Sequence, residues 1–289
     1  MTILDPEVVR QWEEGGYAVL KQVVPHDLID RVNRHVAVFR STCGETKDEQ
    51  GYGQRIGVFH SQNSDSLAVA LNPEVREFLR WALRDDPLLF GSLTFEVGTE
   101  QGAHQDSIHF WTEPQAAMAG VWVALEDVHP DAGPLFYYPG SHKWGIDRAE
   151  DCWRVRPDLF ERTQREGFWA PDNIEERTAT AGELGNAWCQ LLIDKVAARG
   201  EQPVPVMVKK GDALIWHAYL VHGGQPRRDR QLTRRSMVTH HIGRNASMFD
   251  TNTYFLCPQD AFDQKRALPL GITDSPAGSY VNHGKPVTY

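Results

Sequence analysis

The sequence is short of the features that would place it in several large protein classes. Cysteine is sparse: Cys43, Cys152, Cys189 and Cys257 stand far apart, and no Cys-x-x-Cys pair occurs. That excludes a disulfide framework and a cysteine-based structural zinc site, and it fits reduced thiols in a cytoplasmic protein. There is no excess of basic residues. Thirty Lys and Arg face 39 Asp and Glu, for a net charge of −9. Phosphate binding wants clustered cations, so nucleic acid is not an expected partner. The nearest approach to a basic cluster is Arg227-Arg228 with Arg234-Arg235, and Asp229 dilutes it. No apolar run approaches the ~20 residues of a membrane span. The acidic start, Met1-Thr-Ile-Leu-Asp-Pro-Glu, lacks the basic and then apolar layout of a secretion signal. Internal repeats and low-complexity tracts are also missing. What remains is 289 residues of ordinary globular composition, 41% hydrophobic and 24% charged. That is enough for one large domain, here expected to span 1–289.

The first part, about 1–87, reads as helices flanking a strand. Asp5-Pro6-Glu7 is a helix start, with an N-cap, a proline at the first helical position and acid in the first turn. Gly15-Gly16 ends that helix, and Tyr17-Ala-Val-Leu20 is strand-like. Leu28, Val32 and Val36 share one stripe of a second helix, and Val75, Phe78, Leu79 and Ala82 mark another. Between these two, Ser41 to Asn63 is polar and glycine-rich and reads as a long loop. Texture changes near Leu88. Gly91–Val97, Gly120–Leu125, Leu135–Tyr138, Val204–Val208, Ala213–Trp216 and Ser236–His240 are short strand-like runs between Gly and Pro turns. They point to a barrel or double-sheet jelly roll over about 88–243. A charged insertion over about 144–204, with one helix near 184–198, interrupts it, and an extension follows over 244–289.

The run Gln101-Gly-Ala-His104-Gln-Asp106-Ser-Ile-His-Phe110 is the chemical centre of the sequence. On an extended backbone positions i and i+2 share a face, so His104 and Asp106 offer an imidazole and a carboxylate to one point. If the extended run continued, the same parity would put His109 on the opposite face. Two His and one carboxylate with open positions suit non-haem Fe(II) that activates oxygen. A second His-x-Asp, His129-Pro-Asp131, carries a central proline and is followed by Ala-Gly-Pro, so it reads as a turn. The missing imidazole is sought in Gly211-Asp-Ala-Leu-Ile-Trp-His217-Ala-Tyr-Leu-Val-His222-Gly-Gly224. His222 is favoured, at the end of an apolar strand, where two glycines allow close backbone approach to a metal or cofactor. His217 is the alternative. An oxygenase of this kind commonly takes 2-oxoglutarate, whose far carboxylate wants a guanidinium fork. Arg234 and Arg235 both stand at the mouth of the next strand, pointing opposite ways.

Taken in order, Gln-Gly-Ala-His104-Gln-Asp106, Gly-Val-Trp122-Val-Ala-Leu-Glu-Asp, Gly133-Pro-Leu, Tyr-Pro139-Gly-Ser-His142, the Gly211–Gly224 run and Thr-Arg234-Arg-Ser closely resemble the bacterial phytanoyl-CoA dioxygenase-like family. The resemblance covers roughly residues 8–241. It implies a mainly β protein, a double-stranded β-helix (jelly roll, cupin-like) core with flanking α-helices. It implies Fe(II), with 2-oxoglutarate and O2 as co-substrates, and His104, Asp106 and His222 as metal ligands. Arg234 matches the family's 2-oxoglutarate arginine. Trp122 matches an aromatic residue lining that co-substrate, and Thr94 is a further candidate beside it.

The implied reaction is hydroxylation of an unactivated C–H, with release of succinate and CO2. Related halogenases replace the carboxylate by a small residue to admit chloride, so Asp106 favours hydroxylation. The same oxidising chemistry ending in desaturation, epoxidation or epimerisation is the alternative within the class. A non-catalytic cupin-like metal- or ligand-binding sensor is the alternative outside it. The expected substrate is a specialised small molecule, with no membrane partner and a monomeric or homodimeric state. The 41–63 loop, Phe110-Trp111, the insertion and the C-terminal extension are expected to wall the pocket.

Overall fold

Strand alternation decides which side chains meet inside this protein. Every residue of Met118–Ala124 and of Ser236–Gly243 is buried, because both faces of these two strands are covered. The computed structural model describes residues 3–43, 55–258, 267–284 and 287–288.

At the N-terminus, α1 (Pro6–Arg10) starts from Asp5, whose carboxylate accepts the Glu7 N–H at 2.9 Å. One wider turn, Gln11–Gly15, continues it to Gly16, which is left-handed at φ 76°. There follow β1 (Tyr17–Leu20), α2 (His26–Cys43), β2 (Arg55–Gly57), α3 (Ser64–Ala70) and α4 (Pro73–Leu83). The core continues with β3 (Pro87–Phe95), β4 (Trp111–Glu113), β5 (Met118–Ala124) and β6 (Leu135–Tyr137). After the insertion helices α5 (Ala149–Val155), α6 (Pro157–Thr163) and α7 (Ile174–Arg199) come β7 (Val204–Pro205), β8 (Ala213–His217), β9 (His222–Gly224), β10 (Ser236–Gly243) and β11 (Ser247–Phe249). The C-terminal part adds α8 (Thr251–Leu256), β12 (Ile272–Ser275), β13 (Gly278–Val281) and β14 (Val287–Thr288).

The large sheet runs β1-β8-β5-β10-β3-β13-β12, with β2 also on β3 and β14 on β2. A small sheet, β7-β6-β9, and the β4–β11 pair complete the strands. Together they form the double-stranded β-helix. One face of the large sheet, carrying Ala119, Val121, Ala213, Ile215 and Met237, packs on the N-terminal helices through Ile29, Val32 and Phe78. The other carries Phe95, Trp122, Leu214, Trp216 and Val238 and meets Leu135 and Tyr137 of the small sheet. Burying a side chain such as Phe78 or Leu214 contributes about 1.5–3 kcal/mol. One irregularity matters for the site. His240 pairs with Gly91 but His241 pairs with Leu89, so Phe90 is an extra residue in β3, a β-bulge.

Three expectations need correction. The apolar strand expected to end in His222 is two strands: β8 stops at His217, and the chain turns before β9 joins the other sheet. The insertion carries three helices rather than one. Its long helix starts at Ile174, because the buried stripe Thr180, Ala181, Leu184, Trp188 and Leu192 extends beyond the apolar-looking part and the first turn is acidic. Both ends of the expected 41–63 loop belong to regular elements, with α2 running to Cys43 and β2 covering Arg55–Gly57. Within it Ile56, Phe59 and His60 are buried against the sheet, while 44–54 lies outside the described residues. Among the described residues no helix is long and apolar enough to cross a membrane.

Candidate metal centre

His104 and His222 face each other across an antiparallel bridge. The His104 N–H donates to the His222 carbonyl at 2.9 Å, and the His222 N–H donates back at 3.0 Å. This reciprocal pair fixes the two backbones side by side. Each imidazole turns Nδ1 to a carbonyl of its own chain, Gly102 for His104 and Leu220 for His222, both at 2.9 Å. With Nδ1–H committed, Nε2 is the lone-pair nitrogen that points at the site. Both Nε2 atoms converge on Asp106 Oδ1, at 3.5 Å from His104 and 3.6 Å from His222. The three ligand-type atoms all lie within 4.8 Å of one another, a spacing that suits one metal ion.

The loop is pinned on both sides of Asp106. The Gln105 side chain donates to the Tyr219 carbonyl at 2.6 Å, and Ser107 Oγ donates to the Ala218 carbonyl at 3.0 Å. Gln105 is extended, as the i, i+2 argument requires, and the chain then enters a 3-10 turn, Asp106–Ile108. That turn corrects the expectation for His109. Instead of facing away, its ring centroid lies 6.5 Å from that of His104, and the residue is exposed.

Electrostatics favour the ligand forms. Burial acts to raise the Asp106 carboxyl, but the neighbouring His222, His104 and His240 outweigh it and hold it well below the usual carboxylate range. Burial, reinforced by His104, pushes His222 down to about 4. An ionised carboxylate beside a neutral imidazole is the state a metal selects.

Strand register places the remaining candidates. Trp122 pairs with Val238 and with Leu214, so it stands on the inner face. Arg234 lies two residues before Ser236 on the same side of β10 and is 3% exposed. Its guanidinium carbon is 5.8 Å from the Trp122 ring centroid, and Nη1 donates to the Gly133 carbonyl at 3.1 Å. Burial, with Arg227 nearby, lowers its pKa to about 10, so it stays charged at neutral pH. Arg234 Nε and Trp122 Nε1 are buried donors without a protein acceptor. Buried N–H groups of this kind call for an acceptor from outside the chain, and an anionic co-substrate fits them. Arg235 is exposed and on the other face.

A family model described as phytanoyl-CoA dioxygenase (PhyH) matches residues 12–236, well over half of the chain. The chain belongs to the phytanoyl-CoA dioxygenase family. Phytanoyl-CoA dioxygenase domain-containing protein 1 of Danio rerio is 28% identical over 174 residues, covering 60% of this chain and 47% of that protein. The chain thus spans about half the length of the curated relatives it matches first. Among solved structures, the non-haem α-ketoglutarate-dependent carbocyclase SnoK of nogalamycin biosynthesis superposes with a TM-score of 0.64 at 16% identity, over 93% of this chain and 96% of that one. The epimerase SnoN of the same biosynthesis gives 0.61 at 16% identity, over 96% of this chain and all of that one. At such identities the likeness speaks for the fold.

Thr94 does not join the family's site. It pairs with Met237, and strand alternation turns it to the outer face, under the N-terminal helices. Trp111 also departs from expectation. It packs beneath the Arg148 guanidinium at 3.8 Å and beside Tyr254, tying the insertion to the C-terminal part rather than lining a pocket. Phe110 does reach the site, 4.8 Å from the His240 ring. The two glycines after His222 serve chain packing. A Cβ at Gly223 would stand 2.7 Å from the Phe136 ring and 2.9 Å from the Gln101 carbonyl. His217 packs between Trp12 and His142, away from the centre. His129 and Asp131 sit half exposed in a turn.

Sequence reasoning missed Trp216 and His240. The Trp216 indole N–H donates to Asp106 Oδ2 at 2.8 Å, and His240 Nε2 lies 3.6 Å from the same oxygen. Parity from Arg234 puts His240, six positions on, on Arg234's face.

Proposed function

We propose that this protein is an Fe(II)- and 2-oxoglutarate-dependent dioxygenase that hydroxylates an unactivated C–H of a small molecule. The carrying observation is the convergence of His104, Asp106 and His222 within 4.8 Å on the inner wall that also bears Arg234 and Trp122. His104, Asp106 and His222 would hold the metal ion, a donor set that suits non-haem iron. Iron with 2-oxoglutarate and O2 supplies the oxidising power, with succinate and CO2 as by-products.

The chain's own part is binding and orientation. Successive inner-face rows run from Trp216, Gly120 and His240 beside Asp106, through Leu214, Trp122 and Val238, towards Arg234. A five-carbon diacid laid along them meets the metal ligands at one end and a buried guanidinium at the other. Leu214 and Val238 keep water from that path, which strengthens the Arg234–carboxylate pairing. The unsatisfied Arg234 and Trp122 N–H groups support a bound co-substrate over a bare metal sensor. Asp106 occupies the position that halide chemistry needs vacant, which supports hydroxylation.

The expected substrate is a specialised small molecule, reached from the side where His104 and His109 are accessible. Anaerobic loading with Fe(II) and 2-oxoglutarate, followed by O2, should release succinate even without substrate, at a slow uncoupled rate. Asp106→Ala should abolish it. A wild-type chain that yields no succinate, or an Asp106→Ala variant that keeps iron and full activity, would sink the reading.

A further inference from the structure

We propose that Trp216 is the positioning residue for the carboxylate ligand: its indole N–H ties Asp106 Oδ2 so that only Oδ1 faces the two imidazoles. The inference rests on the reading of His104, Asp106 and His222 as metal ligands.

The carboxylate is divided between two tasks. Oδ1 lies 3.5 Å from His104 Nε2 and 3.6 Å from His222 Nε2, on the metal side. Oδ2 accepts the 2.8 Å bond from Trp216 and has His240 Nε2 at 3.6 Å on its other flank. A carboxylate with both oxygens free can chelate a metal through both and occupy an extra coordination position. Holding Oδ2 back leaves that position for a bidentate 2-oxo acid. The bond also favours the ionised carboxylate, which is the ligand form.

The indole is held where it must be. Trp216 and Gly120 are direct partners across β8 and β5, and Gly120 and His240 are direct partners across β5 and β10. His240 in turn faces Gly91 on β3. The row therefore alternates a large ring with a glycine, and the indole lies over Gly120 on its way to Oδ2. A Cβ at Gly120 would stand 2.3 Å from the indole Cε2, so only glycine lets the ring lie flat there. On its other side the ring meets His222, with centroids 4.7 Å apart. One aromatic residue thus supports two of the three ligands. Removing such an outer partner of a metal ligand weakens metal binding by about 10–100-fold.

Trp216→Phe keeps the ring and deletes the N–H. Anaerobic Fe(II) titration should give about 10- to 100-fold weaker binding. The visible spectrum of the Co(II)-loaded variant should change, because the carboxylate is free to bind through both oxygens. Thermal unfolding of the metal-free chain reports folding separately. Gly120→Ala, which retains the N–H but pushes the indole off Asp106, should weaken Fe(II) binding in the same direction and serves if Trp216→Phe does not fold. If either folded variant binds Fe(II) as tightly as the wild type, with an unchanged Co(II) spectrum, the proposal is overturned. Asp106→Ala and His222→Ala separate the two readings. If these also bind Fe(II) like the wild type, the metal centre itself is wrong and Trp216 falls with it. If they lose the metal while Trp216→Phe keeps it, only the role of Trp216 is wrong.

Discussion

Arg234 and Arg235 are neighbours with opposite fates. Arg234 is buried beside Trp122, and Arg235, the next residue before β10, is exposed. A buried guanidinium that pairs with a carboxylate contributes about 1.5–3 kcal/mol, so Arg234→Ala should raise the 2-oxoglutarate requirement by roughly 10- to 150-fold. Arg235→Ala should leave it nearly unchanged. Succinate release measured against 2-oxoglutarate concentration decides between them, and the reverse ranking would move the role to Arg235. At this scale much of the site was legible. His104 and Asp106 need only local parity, whereas a strand start offers both Arg234 and Arg235 and the family resemblance picks Arg234. Thr94 and Trp216 were not legible, because their orientation depends on which strands pair. The bond from Trp216 to Asp106 joins residues 110 positions apart, and no local pattern announces it.

Between elements, the bridge of His104 with His222 is kept tight by Gly223. A methyl there would press on Phe136 and on the Gln101 carbonyl, and a backbone oxygen cannot swing aside. Gly223→Ala should therefore cost about 1–3 kcal/mol and loosen metal binding together with stability. Gly102→Ala is the matching control, since a Cβ at Gly102 meets nothing within 4 Å. Thermal melts with and without Fe(II) would compare the pair, and equal melts would contradict the argument. Strand existence was legible from alternation and turn residues, and so was the start of α1 from its cap. The break between β8 and β9 was not. Ala218, Leu220 and Val221 are buried and apolar, so a turn between two sheets looks in sequence like one continuous strand.

Across the whole molecule, several histidines are buried as neutral groups. Burial pushes His60 down from 6.5 to about 4 and His217 likewise to about 4, and it takes His241 to about 3. The sign follows from proton uptake. Below about 6.5 the unfolded chain takes a proton that the folded one refuses. Stability is thus full above that pH and declines as pH falls towards 4, where His60 itself titrates. The loss approaches about 3 kcal/mol for one such group. Unfolding of the metal-free protein between pH 7 and 4.5 should show this slope, and His60→Gln should flatten it. An unchanged slope would remove His60 from the account. These histidines bind the molecule together at its outer face: His60 shares hydrogen bonds with Ser92 of β3, at 2.6 Å, and with the Val281 carbonyl of β13, at 3.3 Å. A barrel or jelly roll was legible from the run of short strands, and the family resemblance chose the jelly roll. The C-terminal strands that dock on β3 were not, because β12 and β13 are half exposed and carry little alternation.

The bulge at Phe90 has a consequence for how this architecture can change. Because one extra residue is absorbed there, the two ends of β3 keep independent registers: 87–89 answers to Gly243–His241, and 91–95 answers to His240–Ser236. Phe90 stacks 5.8 Å from His240 and packs 4.9 Å from Phe110, at the rim of the centre. Deleting this one residue would bring Leu89 next to Gly91, opposite His241 and His240, so both stretches would keep their partners and their faces and the ladder would become regular. Phe90 is therefore a spare residue in the wall beside the candidate centre. Substitution at Phe90 reshapes the wall beside Phe110 and His240 and leaves the sheet alone, and loss of Phe90 would remove that ring from the wall while the inward and outward pattern of β3 is kept.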